Sequence, residues 1–289
     1  MTLEQLRIFV AVAERLHMTR AAEALHVTQS AASASIAALE ARYGVRLFDR
    51  VGRGLELSEA GRVFLPEARA VLNSARAAEQ ALDDLAGLRR GVLTIAASQT
   101  MTSYWLPPRM ARFALAYPAV ELRLKVGNTA EAARLVVEGA AELGFVEGEV
   151  DHPVLRRTAL AEDRIALFAA PGHPLTRAAL RPADLATAVW VLRERGSGTR
   201  TEFEAAVAAH GVDPATLNIA LELPSNEAAL AALAGGGLIA AVSEFAAEPA
   251  VASGRVVNLG FSLGTRRLGW LTHKERRRSR AAQAFLDLL

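Results

Sequence analysis

The sequence predicts a mainly α N-terminal domain with a winged helix-turn-helix, a long linker helix and a C-terminal α/β domain of two subdomains. Three patterns support this fold class. Short amphipathic helices and a Gly-rich hairpin fill the first 57 residues, a heptad pattern of apolar residues follows, and short apolar strands then alternate with helices. With 289 residues, the chain is long enough to bury two or three separate cores.

Composition narrows the classes of function. The chain is 52% hydrophobic and 22% charged, which is typical of a globular protein, and its net charge of +2 neither favours nor excludes nucleic acid. The absence of Cys excludes disulfides, thiolate catalysis and Cys-based metal sites. The six His are scattered without a metal-ligand spacing, so we predict no metal and no cofactor.

The N-terminus does not have the pattern of an export signal. Glu4 and Glu14 bracket its apolar stretch, whereas a secretory signal needs a basic start and a longer uncharged segment. The uncharged runs at 91–108 and 228–243 are too short, or too interrupted by polar residues, Gly and Pro, to cross a membrane. We therefore expect a cytoplasmic protein with no membrane partner.

Three helices are predicted in the first domain. Thr19 is a candidate N-cap for a second helix over 20–25, and Thr28 for a third over 29–42, which Gly44 would end. Two short helices joined by a tight turn form a helix-turn-helix. The first helix is indicated by apolar residues at helical spacing, namely Leu3, Leu6, Phe9, Val10 and Ala13.

The third helix and the hairpin after it form a candidate DNA-binding surface. Short polar side chains at a helix N-terminus suit the major groove, where Gln pairs with adenine and Ser reaches bases or phosphates. Residues 45–50 and 55–57 are predicted strands around a Gly-rich turn, a wing whose arginines suit phosphate or minor-groove contacts. The predicted DNA-binding residues are Thr28, Gln29, Ser30, Ser33, Arg50 and Arg53. Charge alone leaves a plain helical domain open, since residues 1–57 hold seven Arg and six acidic residues, a net of +1.

A long helix is predicted over 59–88, with Ser58 as its N-cap. Apolar residues repeat along it in steps of three and four, which calls for a coiled-coil partner and hence a homodimer. A helix packed on its own domain is the alternative. Pro66 is expected to bend this helix or delay its start. The repeating positions are Phe64, Ala68, Val71, Ala75, Ala78, Leu82 and Leu85.

These first residues resemble the winged helix-turn-helix of LysR-type transcriptional regulators. The resemblance is carried by TRAAEALHVTQSA at 19–31, ALE at 38–40, GVRLFDR at 44–50 and LSEAG at 57–61. It implies sequence-specific binding to double-stranded DNA, a dimerising linker helix and a tetramer built as a dimer of dimers. One position departs from the family, because Ala34 stands where many members carry a basic residue.

The remaining two thirds of the chain alternate strands with helices, which predicts a largely parallel sheet. Helices are predicted over 105–117, 129–138, 199–210, 226–233 and 281–289. The predicted strands are 92–97, 121–126, 143–146, 165–170, 189–192, 219–223, 238–242 and 268–272.

Polar loops follow several of these strands, and ligands in α/β folds bind where strands end and helices begin. The loop at 193–200, RERGSGTR, is the most distinctive. Its glycines let backbone amides approach a ligand and the following helix N-terminus favours negative charge, so we expect a small anion. Simple helix capping is the alternative for this loop. The predicted ligand-binding residues are Ser98, Gln99, Thr100, Asn128, Thr129, Glu147, Arg193, Ser197 and Thr199.

This half also resembles the LysR effector domain, whose two subdomains fold like periplasmic binding proteins. The Gly-Ser-Gly-Thr-Arg loop and residues 145–148 resemble the branch of sulfur-assimilation and carbon-fixation regulators, although Arg195 replaces a common Pro. Because the Gly-Ser-Gly-Thr loop stands at a helix start, we expect the effector to be an anion of the size of sulfate, sulfite or a small carboxylate. The resemblance also implies two crossings between subdomains, near 160–162 and 262–267. The expected divisions are 1–58 for DNA binding, 59–90 for the linker and 91–289 for the effector, with subdomain one at 91–161 and 267–289 and subdomain two at 162–266.

Two other classes of protein fit less well. A solute-binding transport protein predicts an export signal and no winged helix. An enzyme on an α/β fold needs a nucleophile with its base, a metal cluster or a cofactor motif, and the sequence has none of these patterns. We therefore predict a transcriptional regulator and not an enzyme.

Overall fold

A computed structural model describes residues 1–52, 54–85 and 91–289. Arg53 and the end of the predicted linker, 86–90, lie outside the described residues. The chain divides into two compact units, Met1–Ala86 and Gly87–Leu289, which are described separately.

The first unit begins with three helices, α1 (Leu3–Arg15), α2 (Met18–Ala24) and α3 (Gln29–Tyr43). The predicted cap of α3 is confirmed, because Thr28 Oγ1 accepts a hydrogen bond from the Ala31 amide at 3.2 Å. Gly44 ends this helix in the left-handed conformation, with φ of +66°. The predicted cap of α2 is wrong. His17 Nδ1 accepts from the Arg20 amide, and Thr19 lies inside the first turn.

Two short antiparallel strands form the hairpin, β1 (Phe48–Val51) and β2 (Gly54–Leu57). The first strand starts three residues later than predicted. The reason is that Glu40 Oε1, on α3, accepts hydrogen bonds from the amides of Leu47 and Phe48 at 2.7 and 3.3 Å. Residues 45–47 therefore tie the hairpin to α3.

The long helix α4 (Glu59–Leu85) starts at its predicted cap, where Ser58 Oγ accepts from the Gly61 amide at 2.9 Å. Pro66 does not delay the helix start, since the helix begins seven residues upstream of it, and the alternative expectation of a bend at Pro66 stays a prediction. A proline ring removes one helical hydrogen bond, and α4 tolerates this loss because its first half packs on α1 and β2. Phe9 of α1 lies in the apolar core of the first unit. The centroid of its ring is 5.5 Å from that of Phe48 and 5.0 Å from that of Phe64.

The second unit carries one eight-stranded sheet in the order β4-β3-β5-β10-β6-β9-β7-β8. Its strands are β3 (Gly91–Ser98), β4 (Val120–Gly127), β5 (Leu143–Glu147), β6 (Leu155–Ala169), β7 (Val189–Arg193), β8 (Asn218–Leu223), β9 (Ile239–Ser243) and β10 (Val257–His273). Its α-helices are α5 (Leu106–Ala116), α6 (Thr129–Val137), α7 (Pro182–Thr187), α8 (Gly198–Ala209), α9 (Asn226–Ala232), α10 (Glu244–Ala252) and α11 (Arg280–Leu286). A π-helical turn, Met101–Trp105, precedes α5.

The centre of the sheet is antiparallel, which the prediction of a largely parallel sheet missed. The strands β6 and β10 pair along most of their length, with Asp163 opposite Arg266 and Glu162 opposite Arg267. The predicted strands covered only the apolar ends of this pair, since its middle is polar and has no buried apolar run to mark it. Both predicted crossings between subdomains lie in this pair.

Each half of the sheet has its own core, so the two-subdomain α/β fold is confirmed. Subdomain one contains β3, β4 and β5 with α5, α6 and α11, packed around residues such as Ile95, Phe113 and Phe285. Subdomain two contains β7, β8 and β9 with α7 to α10, packed around Trp190 and Phe203. The strands β6 and β10 run through both.

Candidate functional site

The start of α3 is an exposed polar surface on the first unit. Thr28, Gln29 and Ser30 are exposed and Ser33 is half-buried. The Thr28 hydroxyl caps the helix and lies 3.0 Å from Ser30 Oγ, so these two hydroxyls orient each other. Arg50 is exposed on β1 of the hairpin. This surface offers hydrogen-bonding groups without closing around a small ligand.

In the second unit, the start of α8 touches subdomain one so closely that only glycine fits. A Cβ atom on Gly198 would lie 2.7 Å from both the Glu147 carbonyl oxygen and Thr129 Oγ1. Neighbouring backbone supports this contact, since the Ala130 amide donates to the Gly196 carbonyl and Asn128 Nδ2 donates to the Arg195 carbonyl. The carboxyl end of β5 and the starts of α6 and α8 thus meet at one place.

Glu147 is the central group of this contact and is only 2% exposed. Thr129 Oγ1 donates to its Oε2 at 3.1 Å. Burial by itself raises the pKa of Glu147, but the nearby Arg266 charge and the hydroxyls of Thr100, Ser98 and Thr129 outweigh burial and hold the pKa below its usual range. The buried carboxyl is therefore ionised at neutral pH.

A buried ion pair joins the crossing strands to α8. Arg266 donates to Asp163 Oδ2 through Nε at 2.8 Å and Nη2 at 2.6 Å, and its Nη1 donates to Thr199 Oγ1 at 2.8 Å. Both charged side chains are 1% exposed. Sequence reasoning missed Asp163 and Arg266. The only signal was their position in the predicted crossing segments, because ion pairing between distant strands leaves no local pattern.

Arg193, at the end of β7, bridges the two subdomains. Its guanidinium donates to both carboxylate oxygens of Glu194 at 2.9 and 3.0 Å, so its charge is balanced. Its Nη1 reaches Gln99 and Asn226 at 3.4 Å. The fully buried Asn226 donates to Thr100 Oγ1 at 2.9 Å, which links the end of β3 to the start of α9. Asn226 stands between the predicted strand at 219–223 and the body of the predicted helix at 226–233, at a strand end where the sequence predicts ligand-binding loops.

A second link between subdomains lies nearer to solvent. Tyr104, on the π-helical turn, donates its hydroxyl proton to Glu227 Oε1 at 2.6 Å, and Gln99 Nε2 donates to the other oxygen. Burial and the Glu227 carboxylate raise the pKa of Tyr104. Burial by itself raises the pKa of Glu227. The hydrogen bond from Tyr104 and the other local hydrogen bonds outweigh burial and hold this pKa below its usual range. Sequence reasoning missed this link.

The remaining residues of the predicted loops lie at the starts of α6 and α8, beside the contact at Gly198. Asn128 Oδ1 accepts from the Glu131 amide at 3.0 Å and so caps α6. Ser197 is buried at the cap position of α8, without a side-chain capping bond. Arg200 is buried and structural, since it donates to the Arg193 carbonyl at 3.0 Å and pairs with Glu204 and Glu222.

Three buried hydroxyls have no partner within hydrogen-bonding distance among the described residues: Ser98 Oγ at the end of β3, Thr102 Oγ1 on the π-helical turn and Ser243 Oγ at the end of β9. Buried hydroxyls in folded proteins nearly always have a partner, so such atoms mark positions where water or a ligand completes the structure. Ser98 was predicted from the sequence and Ser243 was not. The two serines stand at strand ends, one in each subdomain.

A separate cavity of about 400 Å³ lies against the crossing strands and α10. Its lining residues are Glu162, Asp163, Arg164, Glu244, Phe245, Glu248 and Thr265. Across residues 1–52, 54–85 and 91–289, no group of three or more His, Asp or Glu is arranged to hold a metal ion. No helix in these ranges is both long enough and apolar enough to pass through a membrane.

Family models match both units. Residues 3–62 match the bacterial regulatory helix-turn-helix protein model of the lysR family, and residues 86–289 match the LysR substrate binding domain. The chain belongs to the LysR family of transcriptional regulators. It is a DNA-binding transcriptional regulator with an effector-binding domain, as the sequence predicted.

Curated relatives agree with this assignment and are named as regulators rather than enzymes. The chain is 34% identical over 288 residues to the uncharacterized HTH-type transcriptional regulator YeiE of Escherichia coli (strain K12), covering 99% of this chain and 96% of that protein. It is 33% identical over 293 residues to the RuBisCO operon transcriptional regulator of Allochromatium vinosum, covering 100% and 95%. The predicted likeness to carbon-fixation regulators is confirmed.

Solved structures confirm the fold. The crystal structure of CbnR, a LysR family transcriptional regulator, aligns with a TM-score of 0.71 at 24% identity, over 100% of this chain and 98% of that one. The Synechocystis PCC6803 CcmR regulatory domain, solved in complex with 2-PG, aligns with a TM-score of 0.62 at 27% identity, over 68% of this chain and 95% of that one.

Proposed function

We propose that a small oxyanion, bound between the two subdomains of the effector domain, switches how a dimer of this LysR-family regulator lies on DNA. The observation that carries the proposal is the pair of unpartnered buried hydroxyls, Ser98 and Ser243, at strand ends of opposite subdomains. The predicted residues Thr129, Glu147 and Thr199 are buried at the same contact between subdomains.

Two features favour an anion at this place. The N-termini of α6 and α8 meet there, and helix N-termini present backbone amides and a partial positive charge. The buried guanidinium of Arg266 adds a full positive charge beside Thr199. The CcmR regulatory domain was solved with 2-PG, which supports a small ligand in a domain of this architecture.

Binding would act through the movement of one subdomain against the other. The strands β6 and β10 connect the two, and hinged domains of this kind close around ligands. An effector shifts such an equilibrium only by binding one arrangement more tightly than the other. The contact at Gly198 and the Tyr104–Glu227 link are present in the arrangement described here, so an effector must compete with them or complete them.

The proposed DNA contacts are those of the winged helix-turn-helix. The start of α3 would enter the major groove with Gln29 and Ser33 facing base edges, while Thr28 and Ser30 reach bases or phosphates. Arg50 would contact the sugar-phosphate backbone from the hairpin, together with Arg53.

The second half of α4 is the proposed dimerisation surface. In its first half Ala68 and Leu72 are buried in the core of their own unit. Val71, next to Leu72, is 42% exposed, and Leu82, further along the helix, is 69% exposed, so part of the apolar stripe has no cover from the same chain among the described residues. A second copy would bury it, which supports a homodimer, with a homotetramer as a dimer of dimers. Glu substituted for Leu82 should reduce the molar mass measured by light scattering at micromolar concentration.

The proposal places the protein in the cytoplasm, where DNA is accessible. Its domain divisions are 1–58 for DNA binding, 59–90 for dimerisation and 91–289 for the effector, with subdomain one at 91–161 and 267–289 and subdomain two at 162–266.

The test is a footprint on the region beside the protein's own gene, with and without sulfate, sulfite, phosphate or small carboxylates at constant ionic strength. We expect one of these anions to change the protected region. The combined variant Ser98→Ala, Thr129→Val, Thr199→Val should still protect DNA and lose this response. An unchanged response in the variant would show that the anion acts elsewhere.

A further inference from the structure

We infer that Ala34 on α3 is a specificity-determining residue of the DNA-binding surface, and that its methyl group contacts the C5-methyl group of a thymine in the major groove. This inference rests on the proposed placement of α3 in that groove. It concerns which base the protein prefers, and it follows from the residues that this helix turns away from its own core.

The buried face of α3 is defined by three side chains that pack on the rest of the first unit, Ala32, Ile36 and Leu39. An α-helix has about 3.6 residues per turn, so residues separated by steps of four, three and four lie along one line on its surface. A helix in the major groove turns the line opposite its buried face toward the base edges. On α3 this outer line consists of four exposed residues, Ser30, Ala34, Ala37 and Ala41.

The outer line offers few groups that can form hydrogen bonds with bases. Ser30 Oγ lies 3.0 Å from Thr28 Oγ1, so part of its hydrogen-bonding capacity is used within the protein. The charged residues of α3, Glu40 and Arg42, stand in its last turn, and Glu40 accepts two backbone hydrogen bonds at the start of the hairpin. Beyond Ser30, the outer line therefore presents the methyl groups of alanine.

Position 34 is the place on this line where the side chain decides between two bases. Ala34 lies in the first half of α3, one helical turn after Ser30, where many members of the family carry a basic residue. An arginine or lysine in the major groove pairs with the O6 and N7 atoms of guanine, whereas an alanine methyl group makes an apolar contact with the methyl group of thymine. The exposed Ala34 therefore favours thymine over guanine at the base that it faces.

The size of the effect follows from the burial of one methyl group. Uracil differs from thymine only by the absence of this group, and its hydrogen-bonding atoms are the same. Removing one methyl group from water changes an equilibrium constant about fourfold. Replacement of the contacted thymine by uracil should therefore lower the affinity for DNA about fourfold.

The experiment uses the full-length protein and the tightest-binding duplex recovered from a random-sequence pool. Each thymine of this duplex is replaced in turn by deoxyuridine, and affinities are measured by fluorescence anisotropy at one fixed salt concentration. The wild type should lose affinity about fourfold at one or more positions. Ala34→Gly should remove this penalty at the contacted position, because glycine has no methyl group.

A second variant tests the base preference directly. Ala34→Arg introduces another residue with high helix propensity, and at the contacted position it should change the preference from thymine to guanine. The preference is the ratio of two affinities, so a general gain in affinity from the added charge cancels.

The matched control is Ala41→Gly. It places a glycine on the same outer line of the same helix, about 10 Å further along the helix axis. Because the N-terminal residues of such a helix contact the base edges, Ala41→Gly should keep every uracil penalty of the wild type.

The possible results distinguish this inference from the proposed function. A tightly bound duplex with no penalty for uracil at any position, or a penalty that Ala34→Gly retains in full, overturns the role of Ala34 and leaves the DNA contact of α3 standing. A pool from which no preferred sequence is recovered overturns the proposed base contacts, and this inference with them. If Ala34→Gly does not fold, Ala34→Arg decides, since an unchanged preference for thymine in that variant contradicts the inference.

Discussion

The two units of this protein handle polar side chains in opposite ways. In the first unit, the groups proposed to contact DNA are exposed, and the core around Phe9 is apolar. In the second, the groups proposed to contact the effector are buried, among them Glu147, Arg193 and Arg266 at 2% exposure each. A surface that binds DNA can keep its polar groups in solvent. A site that encloses an ion buries charged side chains, and each buried charge needs a partner that offsets its loss of hydration. Substitutions in the second unit should therefore change stability, and those at the start of α3 should change only binding.

The largest expected effect is at Arg266. Arg266→Ala leaves Asp163 buried without its counter-charge, and such losses cost about 3–5 kcal/mol. Urea unfolding followed by Trp fluorescence measures this directly, because all three Trp, at 105, 190 and 270, lie in the second unit. The control Arg267→Ala alters the next, exposed arginine and should change stability by less than about 0.5 kcal/mol. Equal effects of the two variants would contradict the pairing.

A smaller effect is expected at Tyr104. Tyr104→Phe removes the hydroxyl that donates to Glu227 but keeps the ring, and a hydrogen bond to a charged group contributes about 1.5–3 kcal/mol, less where solvent reaches it. The same unfolding experiment should give a loss toward or below the lower end of this range. Tyr117→Phe is the matched control. No loss at Tyr104 would mean that this link does not hold the subdomains together.

The pH dependence of stability should follow Glu227. Its folded-state pKa lies below the usual Glu value, so its contribution to stability is present above that value and is lost as the pH falls through the folded pKa. Between pH 7 and pH 4, the wild type should lose more unfolding free energy than Glu227→Gln does. Glu248→Gln, which alters an exposed carboxylate on α10, should behave like the wild type. An identical acid profile in Glu227→Gln would contradict the prediction.

The smallest effect on stability is expected at Gln29. Gln29→Ala should change the unfolding free energy by less than about 0.5 kcal/mol, because the side chain is exposed. It should still weaken binding to the preferred DNA sequence by about 1–3 kcal/mol, measured by fluorescence anisotropy. The matched control is Gln283→Ala on α11, an exposed Gln that should leave DNA affinity unchanged. A large loss of stability at Gln29 would remove the contrast between the units.

Local chemistry determined much of this protein from the sequence alone. The cap at Thr28, the left-handed Gly44 and the cap at Ser58 each act within a few residues, so their signals are local. The helices and outer strands follow from apolar periodicity, and the strand ends at Ser98 and Glu147 follow from where that periodicity stops. These signals were sufficient for the fold class and for most of the polar groups at the candidate site.

Only the tertiary structure decided which side chain offsets the charge of each buried group. The pair of Asp163 and Arg266 joins residues 103 positions apart, and the registry of β6 and β10 that aligns them is set by pairing across the whole sheet. The same holds for Tyr104 with Glu227, and for Gly198 against Glu147. Charge balance in a buried site depends on distances between strands, and a sequence records only the distances along the chain. The sequence thus predicted an anion site from one Gly-rich loop, and the tertiary structure added the buried ion pair of Asp163 and Arg266 beside it.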